Sequence, residues 1–141
     1  MDRSRFQEYI DRFNNQDATA FEDFLSPAMH MTNGTLEFTG VEGMKSHYAK
    51  IWSTFSEVLA VGRYVTDGTH IAIEMDTHFE AFRDDANSTF GPVTAGECFD
   101  FSGIIMYDLD ANGRFAKIRV AYNRFTRTLP DGAIQELGIP H

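Results

Sequence analysis

Apolar residues recur along the first part of the chain with the spacing of helix faces. Phe6, Tyr9, Ile10 and Phe13 share one side of a first helix, with Ser4 and Gln7 as a candidate capping box. Asn14-Asn15-Gln16-Asp17 interrupts that pattern. Asp17 can cap a short second helix that buries Ala20, Phe21, Phe24 and Leu25, and Ser26-Pro27 ends it. A longer third helix is expected after Gly40, its stripe formed by Val41, Met44, Tyr48, Ile51, Trp52 and Phe55. Between the second and third helices, Met29–Met31 and Leu36–Thr39 flank Asn33-Gly34, a strong hairpin signal because both residues tolerate positive φ.

From residue 58 onward the period becomes two. Strands are expected at 58–66, 69–83, 97–109 and 115–127, with tight turns at Asp67-Gly68 and Asn112-Gly113. Residues 84–96 read as a long loop, a candidate flap, since unstructured loops beyond ~12 residues are commonly functional. Helices first and long antiparallel strands afterwards make an α+β domain spanning residues 1–141. On the 69–83 strand, Ile71, Ile73, Met75, Thr77 and Phe79 alternate with His70, Glu74, Asp76, His78 and Glu80. One sheet face should therefore meet the helices. The other is polar but mixed, with Ile104 and Met106 among the charges and Lys117 and Arg119 on the last strand, which suggests homodimerisation through that face.

Composition narrows the classes. The 141 residues include 13 Phe and carry a net charge of -9. Disorder is excluded, because so many apolar groups can offset the ordering entropy. The negative charge argues against nucleic acid and against anionic membrane surfaces as partners. No run approaches the ~18 apolar residues of a membrane span, and no secretory signal is visible at Met1-Asp2-Arg3-Ser4-Arg5. A cytoplasmic location is the expectation.

Chemical motifs are sparse. Glu74, Asp76, His78 and Glu80 share one strand face, but alternate residues lie about 7 Å apart, too far to ligate one ion unaided. No metal is expected, and no cofactor-binding glycine motif occurs. The single cysteine, Cys98, excludes an internal disulfide and reads as a structural thiol. His30 and His47 can titrate near neutrality, yet each is read as structural. The tyrosines are more informative. Tyr9 and Tyr48 interrupt apolar helix faces, and Tyr107 and Tyr122 lie on apolar strand faces. Buried phenols need partners, and several converging on one cavity can donate hydrogen bonds to a developing oxyanion.

Several phrases resemble a known superfamily. Tyr9-Ile10-Asp11-Arg12-Phe13-Asn14-Asn15-Gln16-Asp17 is similar to the first-helix signature of the nuclear transport factor two-like proteins. Gly40-Val41-Glu42-Gly43-Met44-Lys45-Ser46-His47-Tyr48 resembles their third-helix start. Phe101-Ser102-Gly103-Ile104-Ile105-Met106-Tyr107 followed by Asn112-Gly113-Arg114-Phe115 resembles the strand-turn-strand of SnoaL-like cyclases, and Leu137-Gly138 fits their tails. The resemblance implies a cone, a curved antiparallel or mixed sheet wrapped around three helices, with an apolar pocket in its mouth. Similarity to ketosteroid isomerase places Tyr9 at the oxyanion-hole tyrosine and Tyr48 at the tyrosine that bonds it. The isomerase's two carboxylate positions fall at Asn33 and near Ile105, neither of which can carry a proton at neutral pH.

The resemblance thus implies a cofactor-independent isomerase, cyclase or dehydratase acting on a polyketide- or terpenoid-like hydrophobic metabolite. Tyr9, Tyr48, Tyr107 and Tyr122 are its expected catalytic residues. Phe13, Asn33, Trp52, Met75, Phe79, Phe101, Ile105 and Arg124 are its expected binding residues, and Phe99 is also expected near the cavity. A non-enzymatic ligand-binding or dimerisation domain of the same fold is the alternative. An open cavity reached by three or more polar tips favours the enzyme, whereas hydroxyls satisfied by backbone favour the alternative.

Overall fold

The computed structural model describes residues 1–138, so the last three residues of the expected domain lie outside the described residues. Helix α1 (Arg3–Asn14) buries Phe6, Tyr9, Ile10 and Phe13, the face that its period marks. Its cap is Asp2 rather than Ser4: the Asp2 side chain accepts from the Arg5 backbone N–H at 2.8 Å. Asp2 reaches an otherwise orphaned donor of the first turn, as an N-cap should. Helix α2 (Thr19–Phe24) follows, and Asp17 accepts from the Thr19 N–H at 3.0 Å. Leu25, expected at the end of that helix, instead opens strand β1 (Leu25–Asn33).

Strand β2 (Leu36–Thr39) pairs back on β1 through a turn centred on Gly34-Thr35, with Gly34 at φ 60°. Asn33 therefore stays in the strand, paired with Leu36, instead of entering the turn. Helix α3 (Gly40–Trp52) stops before Phe55, which begins β3 (Phe55–Thr66). Strand β3 thus starts three residues earlier than its sequence period suggests. Phe55, Glu57 and Leu59 face inward, and Ser56, Val58 and Ala60 face out.

Strands β4 (His70–Ala81), β7 (Cys98–Leu109) and β8 (Phe115–Thr128) match the expected meander. Residues 84–96 are not wholly irregular: β5 (Asp85–Ser88) and β6 (Gly91–Val93) form a small hairpin. Thr54 Oγ1 donates to Asp85 at 2.6 Å, and Arg83 donates to the Ser53 carbonyl at 2.6 Å, so both moor the hairpin to the end of α3. Strand β9 (Ile134–Glu136) pairs with the far end of β8.

The main sheet runs β2-β1-β8-β7-β4-β3, parallel only between β1 and β8. It curves over the helices without closing. Asn14, at the end of α1, clamps helix to sheet: its amide donates to the Leu59 carbonyl at 2.9 Å and accepts from the Leu59 N–H at 2.8 Å. Two buried clusters result. One gathers α1, α2 and the middle strands; the other holds Ile51, Phe55, Phe79 and Phe99.

The β7–β8 ladder slips by one residue beside Gly103, where Gly103 pairs with Tyr122 and Ser102 with Arg124. A Cβ at Gly103 would lie 2.3 Å from the Ala121 carbonyl oxygen, so the strands approach too closely for any other residue. The slip also reverses the inward alternation of β8, because a bulge residue shifts every later side chain to the other face. Phe125 consequently points in and stacks on Phe101 at 4.1 Å. Arg124 points out. No helix among the described residues is long and apolar enough to cross a membrane.

Candidate active site

A cavity of about 230 Å³ opens between the two clusters and draws walls from α3, six strands of the main sheet and the tip of the β5–β6 hairpin. Helix α3 contributes His47, Tyr48 and Ile51, and the β1–β2 edge contributes Met31, Asn33 and Leu36. The central strands add Met75, Thr77, Phe79, Phe101 and Ile105, and β8 adds Val120, Tyr122 and Phe125. Thr89 and Phe90, at the tip of the β5–β6 hairpin, close one side. Phe90 touches the rings of Phe79, Phe101 and Phe125 at 5.1 to 5.7 Å.

Glu57 is the acidic residue of this cavity, carried on β3 and only 4% exposed. The Trp52 indole N–H donates to its Oε2 at 3.0 Å. Burial pushes the carboxyl up to about 8, the indole hydrogen bond pulling the other way. A carboxyl in apolar surroundings holds its proton because the charged form loses hydration. Its presence also tells on the phenols: burial, then the Glu57 charge, raises Tyr9 and Tyr48. His47, between the rings of Phe38 and Tyr48, is lowered by burial and then by Lys50, which favours its neutral form.

The four tyrosines divide between two chambers. Tyr48 and Tyr122 line the large cavity. Tyr9 and Tyr107 line a smaller void of about 30 Å³ behind it, together with Phe13, and Tyr48 borders both. Burial raises Tyr107 as well, and among the described residues no hydrogen bond contributes to the state of Tyr9, Tyr48 or Tyr107. The smaller void has about the volume of one water molecule.

Among the expected binding residues, Asn33, Met75, Phe79, Phe101 and Ile105 line the large cavity. Asn33 Oδ1 is buried there without a partner among the described residues. Four positions differ, the first being Phe13, which lines only the rear void. Arg124 is turned out by the β8 slip, its side chain 63% exposed and paired with Glu136 at 3.1 Å. Trp52 lies behind the wall, stacked on Phe21 and holding Glu57. Phe99 is fully buried behind Phe90. Three polar tips from the sequence reading, Asn33, Tyr48 and Tyr122, therefore reach an open cavity.

Glu57 escaped the sequence reading. The third-helix stripe ran through Phe55 and the next strand began at 58, so Glu57 fell between them. The alternation Phe55-x-Glu57-x-Leu59, an acid at an inward strand position, is the signal that reveals it. On the outer face, the pairing of Glu80 with Cys98 brings one ligand atom each of His78, Glu80 and Cys98 within 4.8 Å of one another. Reading β4 alone could not show this convergence. These groups are exposed or half-exposed, on the side of the sheet opposite the cavity, and His78 Nδ1 is bonded to Asp100 at 2.7 Å.

Solved structures share this architecture. A provisional polyketide cyclase from Xanthomonas campestris pv. campestris is 19% identical, with a TM-score of 0.70 over 84% of this chain and 88% of its own. A second provisional polyketide cyclase, from Pseudomonas putida KT2440, is 21% identical, with a TM-score of 0.70 over 84% and 89%. An LEH-like epoxide hydrolase from M. tuberculosis is 12% identical, with a TM-score of 0.67 over 84% and 80%. At these identities the likeness is one of fold. No functionally curated protein matches the sequence. The SnoaL-like domain family matches residues 6–118, most of the chain, and to that family this protein belongs.

Proposed function

We propose that this protein is a cofactor-independent isomerase, cyclase or dehydratase that moves a proton on a hydrophobic, oxygen-bearing metabolite. The observation that carries this reading is Glu57: a buried carboxyl on the cavity wall, fixed by an indole N–H and raised to about 8. General acids and bases work best with a pKa near the operating pH. At pH 7 roughly nine Glu57 side chains in ten carry the proton. Glu57 enters as the acid, protonating a substrate oxygen, and its carboxylate then recovers a proton from carbon. Tyr48 and Tyr122 donate hydrogen bonds that hold and polarise the same oxygen as it takes the proton. Tyr9 and Tyr107 border the chamber behind Tyr48, whose ring packs against Phe13, Phe21, His47 and Trp52. The work of the two carboxylates at the ketosteroid isomerase positions, occupied here by Asn33 and Ile105, passes to one carboxyl on a different strand.

The test is steady-state kinetics on a substrate identified from co-purified metabolite. Glu57→Gln is expected to lower kcat by about 10²–10⁴, the usual worth of a positioned acid or base. Tyr48→Phe and Tyr122→Phe should each lower kcat with little change in KM. Wild-type activity should fall as pH rises through about 8. Unchanged kcat in all three variants would dismiss the assignment. The second reading, a ligand-binding domain, is favoured by Asn33 and Ile105 standing where carboxylates would be. It would be supported if wild type and Glu57→Gln bound the metabolite equally and neither converted it.

Two copies are further proposed to pair through the outer sheet face. There Ile104 and Met106, 46% and 39% exposed, lie between acidic β4 and the basic side chains Lys117 and Arg119 of β8. A two-fold axis running along β7 sets each acidic β4 against the other copy's basic β8.

A further inference from the structure

The size and charge of the cavity define its ligand more narrowly than the proposed reaction does. An engineered cavity of roughly 150 Å³ with aliphatic and aromatic walls accepts benzene. At about 230 Å³, the present cavity is half as large again. On that scale it encloses roughly ten carbon atoms, two fused rings rather than four. The rings of Phe79, Phe90, Phe101 and Phe125 provide flat apolar walls at one side. At the other, Glu57 and Tyr48 can donate, while the unpaired Oδ1 of Asn33 calls for a donor.

The charge inventory is equally restrictive. Among the described residues, no lysine or arginine lines the cavity. The arginines closest in sequence to its β8 wall are engaged elsewhere, Arg119 with Asp108, Arg124 with Glu136 and Arg127 with Glu97. An anionic ligand would enter an apolar space with no counter-charge and an acid on its wall, and burying an unpaired charge is strongly unfavourable. A cation would have to ionise Glu57 at the moment of binding, against the burial that keeps it protonated.

We infer that the pocket selects an uncharged molecule of about two fused rings bearing a hydroxyl or carbonyl oxygen, and rejects carboxylates, phosphates and tetracyclic skeletons. This rests on the proposed pocket being the substrate site, but it concerns binding and not turnover.

Calorimetric titration at pH 7 with a naphthalene series tests it. 2-Naphthol is expected to bind at least tenfold more tightly than 2-naphthoate, 2-naphthylmethylammonium and the four-ring 1-hydroxypyrene. Leu36→Lys, which places a cation at the half-buried rim, should move the preference at least tenfold toward 2-naphthoate. Equal affinity for the naphthol and either ion, or tighter binding of the pyrene, would overturn the inference. So would an unaltered preference in a folded Leu36→Lys. Glu57→Gln should keep the wild-type order, so loss of catalysis there would leave the binding result standing, and each reading fails separately.

Discussion

The buried carboxyl of Glu57 should make this protein lose stability as the solution becomes more alkaline, and Glu57→Gln should abolish that loss. In the unfolded chain a glutamate titrates at 4.5, whereas in the fold Glu57 holds its proton to about 8. Between those values the folded state binds more protons than the unfolded one. Stability therefore falls with rising pH across this window. The slope for one proton is about 1.4 kcal/mol per pH unit, so the full window costs on the order of 5 kcal/mol. That is a large fraction of the usual 5–15 kcal/mol. Glutamine preserves the volume and can still accept the Trp52 N–H, but it has no proton to lose. The assay is urea unfolding between pH 5 and 9, followed by the emission of Trp52, the only tryptophan in the chain. Wild type and variant should be close in stability near pH 5. The variant should become the more stable of the two by several kcal/mol near pH 8. His47 works in the opposite direction, its lowered pKa adding stability as pH rises through the histidine range. It is common to both proteins, so the difference isolates Glu57. Parallel pH profiles from 5 to 8 would show that Glu57 is ionised in the fold and would remove the basis for its role as an acid.

Other consequences are open to direct measurement. Trp52→Phe keeps an aromatic ring against Phe21 and Tyr48 but removes the N–H that opposes the effect of burial; the alkaline limb of the pH–rate profile should move to higher pH, and an unmoved limb would remove Trp52 as the positioning residue. Gly103→Ala should cost about 1–3 kcal/mol in denaturant unfolding, because a Cβ there meets the Ala121 carbonyl and the Tyr122 backbone. A neutral result would mean that the β7–β8 slip can relax without moving Tyr122. Sedimentation at low micromolar concentration should give a dimer for wild type and a monomer for Ile104→Lys, while monomer alone for wild type would refute the outer-face pairing.

Much of the scaffold could be read locally. The faces Phe6-Tyr9-Ile10-Phe13 and Met75-Thr77-Phe79 repeat with periods set by backbone geometry, so each indicates its element and its buried side without knowledge of any neighbour. The places where the reading failed are junctions. Phe55 continues the helix period of α3 while also opening the strand period of β3, and an apolar residue suits either. Arg124 keeps strict alternation in the sequence, but a ladder slip opposite Gly103 reverses the faces beyond Tyr122. Such a slip belongs to two strands at once, and neither shows it alone.

Taken by itself, the sequence determined the α+β class, the order of helices and long strands, and the convergence of aromatic faces on one core. These follow from local periodicity and from the hydrophobic effect, which need no particular partner. Only the tertiary structure decided which polar groups meet. Glu57 becomes a neutral acid because the curved sheet and α3 remove its water, which outweighs the opposing pull of the Trp52 N–H that fixes it. Tyr9 and Tyr107 withdraw into the rear chamber, while Tyr48 and Tyr122 reach the cavity. Burial and electrostatics depend on groups far apart in the chain, and the distances that create this site exist only once the sheet has curved over the helices.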